Sequence, residues 1–221
     1  MESRKFFSEE LSRLRQGILA MSTRVEENLG KALIALRTCN IELAKEVRAD
    51  DSEVDALQIK IEDEAAIVIA TQQPVARDLR EMVTIFKLTS NIERVGDYAV
   101  HLARAASKLA KTGNSAFRAQ MHLEKMAEIG QTMLRSAITA FMTQDAEAAR
   151  AAAAMDHQID DEHKALTEDI VKVIKKNSSL VKSGLRVLHT SNQLERLGDH
   201  ITNICEAIIY MIEGKHEELN E

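Results

Sequence analysis

The sequence predicts an all-α protein made of two tandem repeated three-helix bundles, with six long helices. Composition favours helices, because 45% of the 221 residues are hydrophobic, only 3% are aromatic and there is a single proline. Apolar residues recur at steps of three and four along most of the chain, which is the helical period. An acidic motif occurs twice, about 100 positions apart, which indicates an internal repeat.

The repeat is clearest in one eight-residue motif. Residues 90–97 read Ser-Asn-Ile-Glu-Arg-Val-Gly-Asp, and residues 192–199 read Asn-Gln-Leu-Glu-Arg-Leu-Gly-Asp, 102 positions later. Upstream, Asp-Ser-Glu-Val-Asp at 51–55 recurs as Asp-His-Gln-Ile-Asp at 156–160, displaced by 105. The displacement shrinks by three between the two motifs, and a loop absorbs such a change at little cost. The chain therefore contains two copies of one unit.

Each unit is expected to contain three long helices. The predicted helices span residues 8–38, 41–72, 75–111, 115–143, 145–176 and 179–213. Pro74 fits the first turn of the third helix, where a missing N–H costs nothing. Residues 112–115, Thr-Gly-Asn-Ser, supply a helix stop and an N-cap, so this segment is the expected linker. The predicted domains are residues 1–112 and 113–221, packed as one body because the linker is short.

Charge and hydropathy exclude several classes of protein. The chain has 29 Lys and Arg against 35 Asp and Glu, a net charge of −6, which is opposite to the footprint of a nucleic-acid binder. No apolar run reaches the roughly 18 residues needed to span a bilayer, and the first residues lack a signal-peptide core. We therefore expect a cytoplasmic protein. Cys39 and Cys205 have no metal-site spacing and are expected to be small buried thiols.

An apolar stripe runs along the third helix of each unit. Glu93 and Asp97 point away from the centre of that stripe, and Glu195 and Asp199 do the same in the second unit. Residues four apart lie one helical turn apart, so both carboxylates of a pair can reach one cation. The stripe residues are Ile85, Leu88, Ile92, Val95, Ala99, Leu102, Ala106 and Leu109, and their repeats Val187, Thr190, Leu194, Leu197, Ile201, Ile204, Ile208 and Met211.

The second helix of each unit carries a matching acidic pair. Asp51 and Asp55 have the four-residue spacing in the first unit, and Asp156 and Asp160 have it in the second. If the second and third helices run antiparallel, each unit can bring four carboxylates together on one surface. Such a cluster repels itself unless cations neutralise it, and oxygen ligands suit Mg, Ca, Mn, Fe or Zn. We therefore predict a metal site in each unit.

Simpler interpretations of these motifs remain open. Arg94 and Arg196 can form local salt bridges with Asp97 and Asp199, which are weak when exposed. An acidic pair can also lie on an ordinary solvated helix face.

The motif glycines and the residues one turn beyond them have two interpretations each. Glycine within a helix costs about 1 kcal/mol relative to alanine, so Gly96 and Gly198 indicate either tight helix packing or clearance beside a metal. His101 and Asn203 lie one turn beyond the acidic pairs and are either further ligands or structural residues.

The duplicated motif, together with residues 73–80 and 203–206, resembles the PhoU family of phosphate-transport regulators over nearly the whole chain. The resemblance implies two three-helix bundles, multinuclear metal clusters of structural or regulatory kind, and a regulator that shuts down the phosphate-starvation response when phosphate is plentiful. It implies a homodimer that links PstB, the ATPase of the Pst phosphate ABC transporter, to the sensor kinase PhoR. The ligands that it implies are Asp51, Asp55, Glu93, Asp97, Asp156, Asp160, Glu195 and Asp199.

The two units differ at two positions near the acidic motifs. His101 corresponds to Asn203, and Leu57 corresponds to Glu162, so the two sites can differ in metal number or affinity.

Two other classes of function compete with this one. A carboxylate-bridged metalloenzyme of the ferritin-like class explains the acidic pairs, but its Glu-x-x-His signature occurs once, at residues 213–216 near the end of the chain. A helical scaffold or chaperone needs the acidic faces only for solubility. No phosphate-binding loop, nucleophile triad or dinucleotide fingerprint is present, so an enzyme is not expected.

Overall fold

A computed structural model describes residues 2–112 and 119–220, and this part of the chain is helical without strands. The helices are α1 (Glu2–Thr38), α2 (Ile41–Gln72), α3 (Arg77–Thr112), α4 (Ala119–Thr143), α5 (Ala146–Ala153), α6 (Asp156–Lys176) and α7 (Val181–Glu213), with a 3-10 turn at Ser178–Leu180. Helices α1, α2 and α3 pack together, and α4 to α7 form a second group. The predicted fold class is confirmed. The expected N-cap at 113–115 lies outside the described residues.

The first unit follows the predicted helices closely, with corrections in its two connections, of which the first joins α1 to α2. Asn40 caps α2, because its side chain accepts a hydrogen bond from the Leu43 N–H at 3.1 Å. Cys39 precedes the cap with a φ of 53°, in the left-handed region where a helix commonly ends. It is therefore exposed, and the expectation of a buried thiol was wrong for Cys39 and right for Cys205.

Pro74 lies outside helix α3, contrary to the prediction. The helix begins at Arg77, three residues later. Gln73 and Ala76 on either side of the proline have φ values of 48° and 49°. These left-handed residues make a turn that α3 enters only after residue 76, so Pro74 belongs to the connection.

The predicted helix at 145–176 is divided in two. Asp145 caps α5 by accepting a hydrogen bond from Ala148 N at 2.9 Å, and α5 ends eight residues later at Ala153. Residues 154 and 155 form a turn, and α6 begins at Asp156. The break places a candidate metal ligand in the first turn of a helix, where the helix dipole favours negative charge.

Helices α3 and α7 meet in the middle of the molecule, and α1 packs against α4. The Thr84 hydroxyl on α3 donates to the Ala207 carbonyl on α7 at 3.2 Å. The apolar stripes on α3 and α7 are buried as predicted, although the side chain of Leu109 lies outside the described part. Within the described residues no helix is both long enough and apolar enough to cross a membrane.

Candidate metal centre

The first carboxylate cluster lies between α2 and α3 and is formed by Asp51, Asp55, Glu93 and Asp97. Burial raises the pKa of Asp51, and the negative charges of Asp55 and Asp97 raise it further. Burial also raises the pKa of Glu93, with additional contributions from Asp97, Asp55 and Asp51. Carboxylates influence one another in this way only when they are close, so the structure brings the two predicted pairs of this unit together.

The second cluster, Asp156, Asp160, Glu195 and Asp199, lies between α6 and α7. Burial and then the charges of Asp160, Asp199 and Glu195 raise the pKa of Asp156 to about 7. Burial is also the main cause of the raised pKa of Glu195 and of Asp199, and Asp160 raises both further. Asp156 carries the largest of the resolved pKa shifts in the two clusters, and burial is its main cause.

Asp156 packs directly over the backbone of α7. A Cβ built on Gly198 would clash with Asp156 Oδ1 and lie 3.1 Å from Ile159 Cδ1, so a larger residue at this position would require the Asp156 side chain to move. The same oxygen, Asp156 Oδ1, is buried and has no hydrogen-bond partner. A buried acceptor without a partner costs free energy, and a bound cation would satisfy it.

Gly96, the repeat counterpart of Gly198, is in a different environment. A Cβ there would meet Val25 Cγ2 at 3.4 Å and Val54 Cγ1 at 3.5 Å, which are ordinary contacts. Gly96 is buried, yet the structure leaves room for an alanine. Another side chain therefore approaches the helix backbone closely at Gly198 and not at Gly96.

Basic and polar residues border the first cluster. The Arg94 guanidinium lies 3.2 Å from Asp97 and 3.6 Å from Glu93, so the expected local salt bridge forms in this unit. Burial raises the pKa of Asp51, and the positive charge of Arg104, together with His101, offsets part of that rise. His101 Nδ1 is buried without a hydrogen-bond partner, so this ring can still accept a ligand or donate to one.

The repeat positions near the second cluster are engaged elsewhere. Asn203 Oδ1 lies 3.4 Å from the amide nitrogen of Asn220, so the counterpart of His101 contacts the C-terminal segment. Glu162 faces α4, where His122 Nδ1 lies 2.6 Å away and Lys125 forms an ion pair with it. Burial raises the pKa of Glu162, but the partner side chains of Lys125 and His122 lower it on balance. Glu162 is therefore held by α4, and it is not among the groups that shift the pKa values of Asp156, Glu195 and Asp199.

Sequence reasoning missed two histidines beside the second cluster. His157 and His200 each follow a cluster carboxylate directly in the chain, and His157 lowers the pKa of Asp156 against the effect of burial. His200 Nδ1 lies 2.9 Å from Asn91 Oδ1 on α3, and its ring packs against Tyr98. Burial lowers the pKa of His200. The sequence signal that could have found these histidines is that each directly follows an aspartate of the acidic motifs.

The donor set suits hard or borderline cations. Each cluster offers four carboxylates, which are the ligands that Mg²⁺, Ca²⁺ and Mn²⁺ prefer. No group of three His, Cys, Asp or Glu side chains within residues 2–112 and 119–220 is already arranged as a metal-binding set. The like charges of each cluster favour separation of the carboxylates in the absence of a cation.

Comparison with known proteins gives the family. The family model of the PhoU domain matches residues 18–106 and 123–208. The phosphate-specific transport system accessory protein PhoU homolog of Pseudomonas putida is 33% identical over 208 residues, which cover 94% of this chain and 81% of that protein. The homolog of the same description from Streptococcus pneumoniae serotype 4 is 32% identical over 217 residues, covering 98% of this chain and 100% of that protein.

Solved structures agree with the sequence comparison. The crystal structure of PhoU from Pseudomonas aeruginosa has a TM-score of 0.90 at 32% identity, covering 95% of this chain and 100% of that one. The phosphate transport system regulatory protein PhoU from Streptococcus pneumoniae has a TM-score of 0.88 at 31% identity, covering 96% and 99%. The duplicated acidic motif, the paired helical bundles and these matches have one explanation: the chain belongs to the PhoU family.

Proposed function

We propose that this chain is a metal-binding, cytoplasmic negative regulator of phosphate uptake and of the phosphate-starvation response. The observation that carries the metal-binding part is the second cluster, where burial and neighbouring carboxylates raise the pKa of Asp156 to about 7. Its Oδ1 is buried without a partner above Gly198. A protein gains nothing in stability from such an arrangement of like charges, which favours a binding role.

The carboxylates named above would hold the cations, one cluster in each unit. Bound cations would supply positive charge that cancels the repulsion and ties α2 to α3 and α6 to α7. Mg, Ca, Mn, Fe and Zn all accept carboxylate ligands, and these residues do not select among them. The family consists of accessory proteins, so we assign the metals a structural or regulatory role and propose no catalysis.

The regulatory part rests on the family. The relatives are accessory proteins of a phosphate-specific transport system, which supports an association with a phosphate ABC transporter. We propose that this chain contacts the transporter ATPase PstB and the sensor kinase PhoR, acts as a homodimer, and reaches the membrane only through these partners. The scaffold alternative predicts that partner binding is indifferent to metal.

Elemental analysis tests the metal sites. Protein purified without chelator is measured beside a variant in which Glu93, Asp97, Glu195 and Asp199 are alanine. We expect stoichiometric metal in the parent protein and its loss in the variant. A control with Asp63→Ala and Asp161→Ala removes exposed carboxylates from α2 and α6, the helices that carry the other cluster residues, and should keep its metal. Parent protein that stays unloaded after incubation with Mg, Mn, Fe and Zn would falsify the assignment.

Complementation tests the regulatory role. Loss of the gene should raise phosphate-starvation gene expression in phosphate-rich medium, and the parent chain should restore repression. Co-purification with PstB and PhoR from the same cells measures the link directly. Normal repression in the absence of the gene would contradict the regulatory role while leaving the metal sites intact.

A further inference from the structure

A basic cleft lies between the C-terminal half of α3 and the N-terminal part of α7, and its volume is about 500 Å³. Helix α3 contributes cations one turn apart, and α7 does the same from the facing side. The charged and titratable residues that line this basic cleft are His101, Arg104, Lys108, Lys182, Arg186 and His189.

No acidic residue lines the basic cleft, although the chain as a whole carries a net charge of −6. Among the described side chains, no carboxylate lies within 4.0 Å of Arg104, Lys182 or Arg186. Arg104 acts at longer range on Asp51, because its charge offsets part of the rise that burial causes in the pKa of that carboxylate. Cations that converge on one cavity favour an anionic ligand.

The rest of the basic cleft combines polar residues (Ser183, Thr190 and Gln193) with an apolar part. Ala105, Leu185 and Val187 line it between the cations, and Val187 is buried whereas Leu185 is exposed. A volume near 500 Å³ falls within the roughly 300 to 1,000 Å³ of small-molecule pockets, far above the space that one inorganic phosphate needs. The combination suits a ligand with phosphate groups at one end and a flat or apolar group at the other.

The repeat places a second groove at the equivalent position, and the chain fills it. Adding 102 to the α3 positions of the basic cleft gives Glu206 and Tyr210 on α7. There the Leu219 N–H donates to Glu206 Oε1 at 2.7 Å, and the His216 ring stacks on Tyr210 with centroids 4.2 Å apart. The equivalent groove thus accepts a planar ring and an attached polar backbone. In the basic cleft, Arg104 and Lys108 stand at the positions of this acid and this tyrosine.

We propose that the basic cleft binds a phosphate-bearing organic anion of the nucleotide class. Arg104, Lys182 and Arg186 contact the phosphate groups, and the apolar wall between them receives the base. Lysine and arginine side chains are the common phosphate ligands of proteins, and arginine can bind in a bidentate manner. The proposal stands apart from the metal sites and from the partner proteins, so either can fail alone.

Equilibrium titration with trinitrophenyl-ATP, followed by fluorescence, tests the proposal on the full chain. We expect saturable binding that ATP displaces, that weakens with added salt, and that adenosine does not displace. The double variant Lys182→Ala and Arg186→Ala should bind roughly tenfold more weakly or worse, because two charge-assisted contacts are lost. A control with Lys164→Ala and Lys215→Ala removes the same charge from exposed positions outside the basic cleft. Its affinity should equal that of the parent.

The remaining outcomes overturn the proposal. Equal weakening in both double variants means that only net charge matters. Inorganic triphosphate that displaces the probe as well as ATP does would show that the organic group contributes nothing to binding. In that case Leu185→Gln should bind the probe like the parent. No binding at millimolar nucleotide, together with binding of an acidic peptide, would reassign the basic cleft to a protein partner. Circular dichroism of each variant verifies that it is folded.

Discussion

Asp156 Oδ1 occupies the space in which a Cβ on Gly198 would lie. The carboxylate and the helix backbone are thus fitted to each other across α6 and α7. The equivalent glycine in the first unit, Gly96, has no such neighbour and meets only valine methyl groups at 3.4 and 3.5 Å. One motif therefore has different roles in the two repeats.

The two glycines should respond differently to alanine. Gly198→Ala forces the Asp156 side chain away, and overpacking of this kind costs about 2 kcal/mol. Gly96→Ala gains helix propensity of up to about 1 kcal/mol and makes ordinary contacts, so it should be neutral or stabilising. Urea unfolding of both variants measures the difference. Equal free energies of unfolding for the two would mean that Asp156 swings aside freely.

Asp156 should make the metal-free protein less stable as pH rises. Its pKa is about 7 in the folded chain, against 3.8 for an ordinary aspartate, so the folded chain binds more protons between these values. The unfavourable contribution is absent below the lower value, grows through the window and is complete above the higher one. We expect Asp156→Asn to be more stable than the parent by about 1 to 2 kcal/mol at roughly pH 8, after allowance for solvent screening, and equal near pH 4.

The effect of Asp156 must be taken as the difference in stability between the parent and Asp156→Asn, because other groups titrate in the same pH range. Burial lowers the pKa of His200, which makes stability rise with pH over part of the window, the opposite sign. Thermal unfolding in EDTA at several pH values, for parent and Asp156→Asn, isolates the aspartate. Parallel curves for the two proteins would contradict the raised pKa of Asp156.

Metal should reverse this pH dependence. Carboxylates bind cations only when ionised, so protons compete with metal and affinity rises with pH. Added Mn²⁺ should therefore raise the melting temperature more at about pH 7.5 than at about pH 5.5, and EDTA should abolish the gain. Calorimetric titration at the two pH values gives the affinities. The Asp63→Ala and Asp161→Ala control should behave like the parent.

The ion pair between Arg15 on α1 and Glu81 on α3 should be costly to break from one side. Arg15 Nε donates to Glu81 Oε1 at 2.6 Å, and the glutamate side chain is only 5% exposed. Arg15→Met leaves that carboxylate buried without its partner, which costs about 3 kcal/mol. Changing both residues to methionine should recover most of the loss. A small effect of the single substitution would indicate that Glu81 reaches water when the arginine is gone.

Periodicity and the repeat were enough to predict the helical units. The α2 boundaries agree because Asn40 is a strong N-cap, whereas Pro74 misled the prediction for α3, since residues in the left-handed region on both sides of it displaced the helix start. The break at residues 154 and 155 lies within an alanine-rich run that has no breaker to mark it. The local sequence therefore does not predict a break that depends on packing against α7.

The carboxylates of the candidate site were found because their spacing repeats. Their burial was not predicted, because a helix face that points away from its own apolar stripe is expected to be solvated until the neighbouring helix is known. His200 and the basic cleft depend on contact between α3 and α7, two helices about 100 residues apart. Long-range pairing of this kind does not follow from one sequence.

The break between α5 and α6 makes the two candidate metal centres unequal. It sets Asp156 at the start of a helix, while its counterpart Asp51 lies inside the continuous α2. If both centres bind cations, they would fill at different ion concentrations. Duplication followed by such divergence would then turn a simple on-off response into a graded one, with each half of the molecule responding over its own part of the range.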